Sequence, residues 1–289
     1  MTTTTTLAML LHDAAERMRR AGIDDVDLEA DVLLRHALGM DNDRAHLFAQ
    51  LHEPVDTAAA TRFSDLVRRR LAHEPTAYLV RVREFFGLKL VCSPEALIPR
   101  PETELLVEIG RDWLARRERS SIPLVIDVGT DNGALAIALA VHGPSARVIA
   151  IDTSPGALRL ARRNALSHDV DARVQFVRGD LLSPLRAPAD LVVANLPYVS
   201  EPDWEALPPE IREHEPRPAL VGGRAGTETI ARLLAQAPAH LAPRSLLLCE
   251  CGDLQAEALR IDASRAFPNA HIEVRLDLAG LDRVLQIEL

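Results

Sequence analysis

Leu124-Val125-Ile126-Asp127-Val128-Gly129-Thr130-Asp131-Asn132-Gly133 is the stretch that decides the fold. Residues of strand length and strand composition run into a loop bracketed by glycines, and from about Ala134 the apolar pattern turns helical. Gly129 and Gly133 let the backbone approach a ligand, while Asp131 and Asn132 are the non-glycine types that best tolerate a left-handed conformation. The alternation then continues outward with a strand over 147–151, a helix from about Pro155, and strands over 174–177 and 191–194. Such a pattern predicts a parallel sheet with crossover helices. Further on, a helix over 227–241, a strand over 245–250, a helix over 254–266 and closing strands over 272–276 and 283–289 are expected, the last two as an antiparallel edge pair.

The strand ending at Ala194 runs into Asn195-Leu196-Pro197-Tyr198-Val199, where the proline forbids further ladder pairing. It therefore presents an amide, a rigid backbone and an aromatic ring at the carboxyl edge of the sheet, where ligands bind in open α/β folds. The Asn195 side-chain oxygen and the carbonyl of Leu196, held by the Leu-Pro link, can accept both hydrogens of one planar NH2 group while Tyr198 packs on its face. An amide or aryl amine nitrogen is a poor nucleophile because its lone pair is delocalised. Two acceptors on its hydrogens push electron density back and aim that pair, so the implied reaction is alkylation of a planar nitrogen. The bland reading is a strand followed by a proline turn, and context decides between them.

Context comes from the other strand ends. The loop 129–133 lacks the G-x-G-x-x-G spacing, which disfavours a pyrophosphate cradle. Asp152 ends the second strand 23 residues after Gly129 (152 minus 129), where an acid typically takes ribose hydroxyls. Thr153 or Ser154 then caps a helix that has Pro155 in its first turn. Asp180 follows the third strand, with Leu181 next to it. A glycine loop, two acids and no phosphate cradle suit a nucleoside with a cationic side chain, and S-adenosylmethionine is such a ligand.

The 289 residues suffice for one large domain or two ordinary ones, and 33 Lys and Arg against 42 Asp and Glu give a net charge of -9. Nothing resembles the basic stripe of a protein that holds nucleic acid by its phosphates. Cys92, Cys249 and Cys251 show no metal-ligand or redox spacing, and His36, His142 and His214 read as structural. No apolar stretch is long enough to span a bilayer and no basic-then-apolar leader is visible, so neither secretion nor a membrane anchor is expected. A run of threonines at 2–6 predicts a frayed start. Helical spacing follows to about Ala72, through Leu7, Leu10, Leu11 and Ala14, then Leu28, Val32, Leu33 and Ala37, then Phe63, Leu66, Val67 and Leu71. Asp27 is expected to cap the second of these helices, Gly39 to close it, and Arg68-Arg69-Arg70 to form a solvated face in preference to a partner patch. A hairpin turned at Gly87 leads into Leu97-Ile98-Pro99-Arg100-Pro101-Glu102-Thr103-Glu104, whose acids suit the start of a helix.

These residues resemble the protein-glutamine N5-methyltransferases that act on peptide chain release factors, the PrmC/HemK family. The likeness spans nearly the whole chain: Glu84-Phe85-Phe86-Gly87-Leu88, the run LIPRPETELLVE over 97–108, the loop DVGTDNG, NLPYV, Glu215-Pro216-Arg217-Pro218-Ala219-Leu220 with Gly222-Gly223, Glu250-Cys251-Gly252-Asp253-Leu254-Gln255, and the closing DLAGLDRV over 277–284. The IPRPETE run is the specific signal. NLPY alone also resembles enzymes that methylate adenine amino groups, and that activity, or a homologue that has lost or changed its substrate, stays open.

The resemblance implies an α/β, Rossmann-like class I SAM-dependent methyltransferase domain with a mostly parallel seven-stranded sheet and a small all-α N-terminal domain. It implies an α-helical recognition domain over 1–75, a hairpin connector over 76–104 and a catalytic domain over 105–289. On this reading Gly129, Thr130, Asp131, Asn132 and Gly133 hold the methionine part of the cofactor, Asp152 the ribose, and Leu181 beside Asp180 the adenine, with Asn195 also touching the cofactor. Asn195, Leu196, Pro197 and Tyr198 hold the glutamine amide of the Gly-Gly-Gln loop, with Arg100 and Glu102 on the substrate side. It further implies a cytoplasmic monomer whose partners are release factors, with no metal and no direct nucleic-acid binding. The sequence departs from the family at Leu196, where a proline is usual, at Asp131-Asn132, where Gly-Ser is usual, at Arg81, where glycine is common, and at Ala77 in place of a frequent glutamine.

Overall fold

The computed structural model describes residues 5–41, 43–117, 122–143 and 146–289. The chain divides into two compact units, Met1–Val82 with Pro208–His214, and Arg83–Leu207 with Glu215–Leu289.

The first unit is helical, with helices Leu7–Arg20, Val26–Leu38, Arg44–Ala49 and Thr57–Arg70 around a core that includes Met18, Leu33, Leu34, Leu47 and Phe63. Thr6 is not frayed. Its hydroxyl accepts from Met9 N at 3.4 Å as an N-cap, and it bridges Pro54; Thr2–Thr4 lie outside the described residues. Asp27 sits inside the first turn of its helix, and Asp25 in a left-handed conformation takes the cap position. Gly39 closes that helix at φ +73, as its lack of a side chain allows. Leu28 is 52% exposed and so is not core: the buried stripe runs through Ala30, Leu33, Leu34 and Ala37. The arginine run is not one solvated face either. Arg68 is exposed, but Arg70 is buried between Glu29 at 2.9 Å and Glu210 at 2.7 Å, the charge pairing that burial demands.

The second unit is built on a seven-stranded sheet, here β1 Leu124–Val128, β2 Arg147–Asp152, β3 Val174–Arg178, β4 Ala189–Ala194, β5 Leu241–Glu250, β6 His271–Leu276 and β7 Asp282–Glu288. Its order is β6-β7-β5-β4-β1-β2-β3. β7 runs antiparallel to both neighbours, so the closing pair forms as expected, with β6 at the edge. The strand predicted from 245 begins at Leu241, and the preceding helix ends earlier, at Gln236, followed by a short 3-10 turn.

From Leu191 to Ala194 β4 reads as an apolar run because both its faces are covered: Leu191 and Val193 join one core cluster, Val192 and Ala194 the other. Helix Ala134–His142 is buried on nearly every side for the same reason. The hairpin Val82–Phe85 and Leu88–Val91 turns through Phe86 and Gly87, both at positive φ, the geometry of a tight two-residue turn.

Register positions the site. Val128 lies beside Ile151 on one flank and Ala194 on the other, and Ala194 lies beside Cys249. The next residue on each strand is Gly129, Asp152, Asn195 and Glu250, so four strand ends finish side by side. β1 and β4 are the pair at which strand order reverses, the place where such sheets bind ligands.

Candidate functional site

At that switch point lies a cavity of about 250 Å³. Of the residues singled out in the sequence, Gly129, Asp131, Asp152, Asp180, Leu181, Asn195, Leu196 and Pro197 line it together. Thr130 and Asn132 are buried and spent inward: Thr130 Oγ1 donates to Asp127 Oδ2 at 2.6 Å, and the Asn132 carbonyl accepts from Asn164 Nδ2 at 2.9 Å. Gly133, Tyr198, Arg100 and Glu102 do not line this cavity.

The glycine loop is shaped by the backbone. Gly129 sits at φ +75, and a Cβ there would meet Leu196 Cδ2 at 3.0 Å, so the loop and the β4 terminus touch. Gly129 N and Thr130 N both donate to the Ile151 carbonyl, at 2.9 and 3.0 Å. Asp131 takes a left-handed φ of +49, the conformation its side chain was expected to tolerate. Its N–H donates to Asp152 Oδ2 at 2.9 Å, and its own Oδ1 accepts from Leu97 N at 3.1 Å. The other oxygen of Asp152 accepts from Ser154 N at 2.8 Å, next to the helix Pro155–Ser167 that Ser154 caps.

Burial pushes the Asp131 carboxyl up, and the neighbouring Asp152 carboxylate pushes it further; burial likewise raises Asp152. Asp127, buried beneath the loop, is pushed up to about 7 by the same desolvation. Asp180 is half exposed and ion-paired with Arg232. Among the described residues no Lys, Arg or His lines the cavity, while four acids do: Glu95, Asp131, Asp152 and Asp180. That lining suits a cation and repels a phosphate.

The β4 terminus is held from three sides. Gly222 lies so close that a Cβ there would stand 2.2 Å from the Pro197 carbonyl, which explains a glycine in strand Val221–Gly223. Gln255 Nε2 donates to the Tyr198 carbonyl at 2.7 Å. Asn195 Nδ2 donates to Thr103 Oγ1 at 3.0 Å, Thr103 Oγ1 donates to Glu250 Oε2 at 2.6 Å, and Tyr198 OH donates to Glu250 Oε1 at 3.2 Å. Burial raises both the Tyr198 phenol and the Glu250 carboxyl. The IPRPETE run is anchored by Glu215, buried, which accepts from Ile98 N at 3.1 Å and pairs with Arg100. Glu102 is exposed.

Sequence reasoning assigned no role to Thr103, Glu215, Glu250 or Glu95. For Glu250 a signal existed: like Asp152, it is an acid at the end of an apolar strand.

Among known proteins, the family described as the PrmC N-terminal domain matches residues 9–80, and the one described as a methyltransferase domain matches residues 125–214. The chain is 39% identical over 286 residues to the release factor glutamine methyltransferase of Nitratidesulfovibrio vulgaris, covering 97% of this chain and 94% of that one. It is 39% identical over 277 residues to the protein of the same description from Deinococcus radiodurans, covering 96% of each. Of solved structures, the N-terminal domain of human METTL16 in complex with SAH superposes with a TM-score of 0.52 at 16% identity, over 70% of this chain and 76% of that one, a likeness of fold.

Proposed function

We propose a mechanism from the premise that this chain belongs to the release factor glutamine methyltransferases. The chain transfers a methyl group from S-adenosylmethionine to a glutamine of peptide chain release factors. The observation that carries the mechanism is that Asn195, Leu196 and Pro197 line the same cavity as Gly129, Asp152 and Leu181, so the acceptor amide and the donor meet in one space.

The cofactor fits on this structure's own terms, because the cavity combines an apolar wall of Ile151, Leu181 and Val221 with four acids and no base among the described residues. S-adenosylmethionine supplies, when bound, a methyl group on a positively charged sulfur that leaves as a neutral thioether. Loop 129–133 holds its methionine part, Asp152 its ribose, and Leu181 with Asp180 borders its adenine. The Asn195 oxygen and the Leu196 carbonyl accept the two hydrogens of the substrate amide and direct its nitrogen lone pair into the cavity, and the amide hydrogen that the methyl replaces is shed as a proton to water. Tyr198, held from behind by Glu250, presents its ring to the amide's flat face. Arg100 and Glu102 contact the protein around the glutamine, which is that of the Gly-Gly-Gln loop. The helical residues 1–75 recognise the release factor, 76–104 connect, and 105–289 catalyse. No metal takes part, nucleic acid is not bound directly, and the enzyme works as a cytoplasmic monomer; among the described residues no helix is long and apolar enough to cross a membrane.

The test is to incubate the protein with S-adenosylmethionine and a release factor and map the product by peptide mass spectrometry. One methyl on the Gly-Gly-Gln glutamine is expected; a methyl elsewhere, or none with cofactor binding intact, overturns the substrate assignment.

A further inference from the structure

Glu250 is 1% exposed, a costly place for a carboxylate unless both oxygens are engaged. They are: Oε2 accepts from Thr103 and Oε1 from Tyr198. Thr103 is itself buried, at the turn that starts helix Glu104–Arg116, and its oxygen receives Asn195 Nδ2. The direction of this chain follows from counting hydrogens. With Glu250 ionised opposite Arg283, its carboxylate only accepts, and a threonine hydroxyl has one hydrogen. Once that hydrogen is committed to Glu250, Thr103 has only lone pairs left for Asn195. Asn195 must therefore turn its NH2 toward Thr103 and its oxygen away, whichever way the amide is first drawn. The inverted amide would set oxygen against a lone pair at Thr103 and offer a donor to a substrate NH2 that can only donate.

We propose that Glu250 and Thr103 are positioning residues, and that the one-way chain from Asn195 through Thr103 to Glu250 fixes the side-chain oxygen of Asn195 toward the substrate amide. This rests on the reading of Asn195 as the amide's acceptor. The same carboxylate holds the Tyr198 hydroxyl, so one buried charge orients both ends of the tetrapeptide 195–198. Arg283, paired with Asp277 at 3.0 Å, is a cation facing both Glu250 and Tyr198, Arg100 is a second cation facing Tyr198, and Glu102 is the acid facing Glu250.

The test is Thr103→Val, which keeps the shape and removes the hydroxyl, beside Thr103→Ser, which restores it. Expected for Thr103→Val is a kcat lower by about thirtyfold, the loss of one well-directed hydrogen bond in the transition state, with the KM for the release factor and the Kd for S-adenosylmethionine within about threefold. Thr103→Ser should recover most of that kcat. In the free protein, the Asn195 side-chain amide proton bonded to Thr103 should be shifted downfield and exchange slowly with solvent in the wild type and in Thr103→Ser, and should lose both marks in Thr103→Val. Unchanged kcat in Thr103→Val, or equal loss in Val and Ser variants, overturns the proposal. If Thr103→Val no longer binds S-adenosylmethionine, Glu250→Gln decides by the same split, since it keeps the shape but can turn an NH2 to Thr103 and reverse the chain. Asn195→Ala separates the two readings: if it leaves kcat intact, the acceptor role itself fails, whereas a dead Asn195→Ala with a fully active Thr103→Val removes only the positioning chain.

Discussion

In the cofactor half of the site the two acids at the glycine loop bond to backbone, Asp152 to the N–H groups of Asp131 and Ser154 and Asp131 to that of Leu97, whereas in the acceptor half the bonds run side chain to side chain, from Asn195 through Thr103 to Glu250 and Tyr198. The difference has a consequence for substitution. A backbone donor survives when its residue changes, so the glycine loop keeps donors for whatever acid stands beneath it. A chain of side chains is only as complete as its weakest member, because each hydroxyl or amide takes its direction from the next. The cofactor half should therefore fail by degrees in affinity, and the acceptor half abruptly in rate.

The largest expected effect breaks the acceptor half at its tip. Asn195→Ala removes an acceptor aimed at the reacting amide and should lower kcat by roughly 10²- to 10³-fold, the scale of removing one preorganised group at a reaction centre. The Kd for S-adenosylmethionine, measured by calorimetry, should stay within about threefold. A Kd that rises in step with the loss of kcat would mean that the two halves are not separable.

The next effect falls on the other half. Asp152→Ala removes an acceptor from the ribose position and leaves the N–H groups of Asp131 and Ser154 without their partner. The Kd for S-adenosylmethionine should rise about 10- to 100-fold, as expected for hydrogen bonds to a charged group, while kcat at saturating cofactor changes little. A kcat loss as large as that of Asn195→Ala would contradict the division.

The same contrast explains what was legible in the sequence. The glycine loop, Asp152 and NLPY announce themselves locally, through strand-length apolar runs punctuated by Gly, Asp and Pro, and the parallel register then brings them together without further information. Thr103 carries no local mark, and the strand-end position of Glu250 does not reveal its partner, since the two meet across 147 positions through the packing of a helix start on a strand end. Arg70 misled for the same reason, because its partners Glu29 and Glu210 lie 41 and 140 positions away. Leu28 shows the limit of helical spacing, which places a residue near a face without saying how wide the buried stripe is.

The smallest effect sharpens the comparison inside the cofactor half, at the acid that departs from the family pattern. Burial first, and the charge of Asp152 second, push the Asp131 carboxyl up to about 8, while the Leu97 N–H opposes the shift; Asp127 and Glu215 are the other acids acting on it. In the unfolded chain the group ionises in the ordinary carboxylate range, so between that range and about pH 8 the folded protein holds a proton the unfolded one has lost. Its contribution to stability is therefore full below the ordinary range and declines as pH rises toward about 8. A cation in the cavity favours the ionised form, so binding expels this proton and affinity rises with pH over the same window. Between about pH 6 and pH 8.5 the Kd for S-adenosylmethionine should fall by up to about tenfold, one pKa unit of coupling. Asp131→Asn should flatten that slope, the ligand's own titration being common to both proteins, and should raise the thermal midpoint more at pH 8.5 than at pH 5. An identical slope in Asp131→Asn would leave Asp152 as the carboxylate that answers the cation, and the backbone of residue 131 as its whole contribution to the loop.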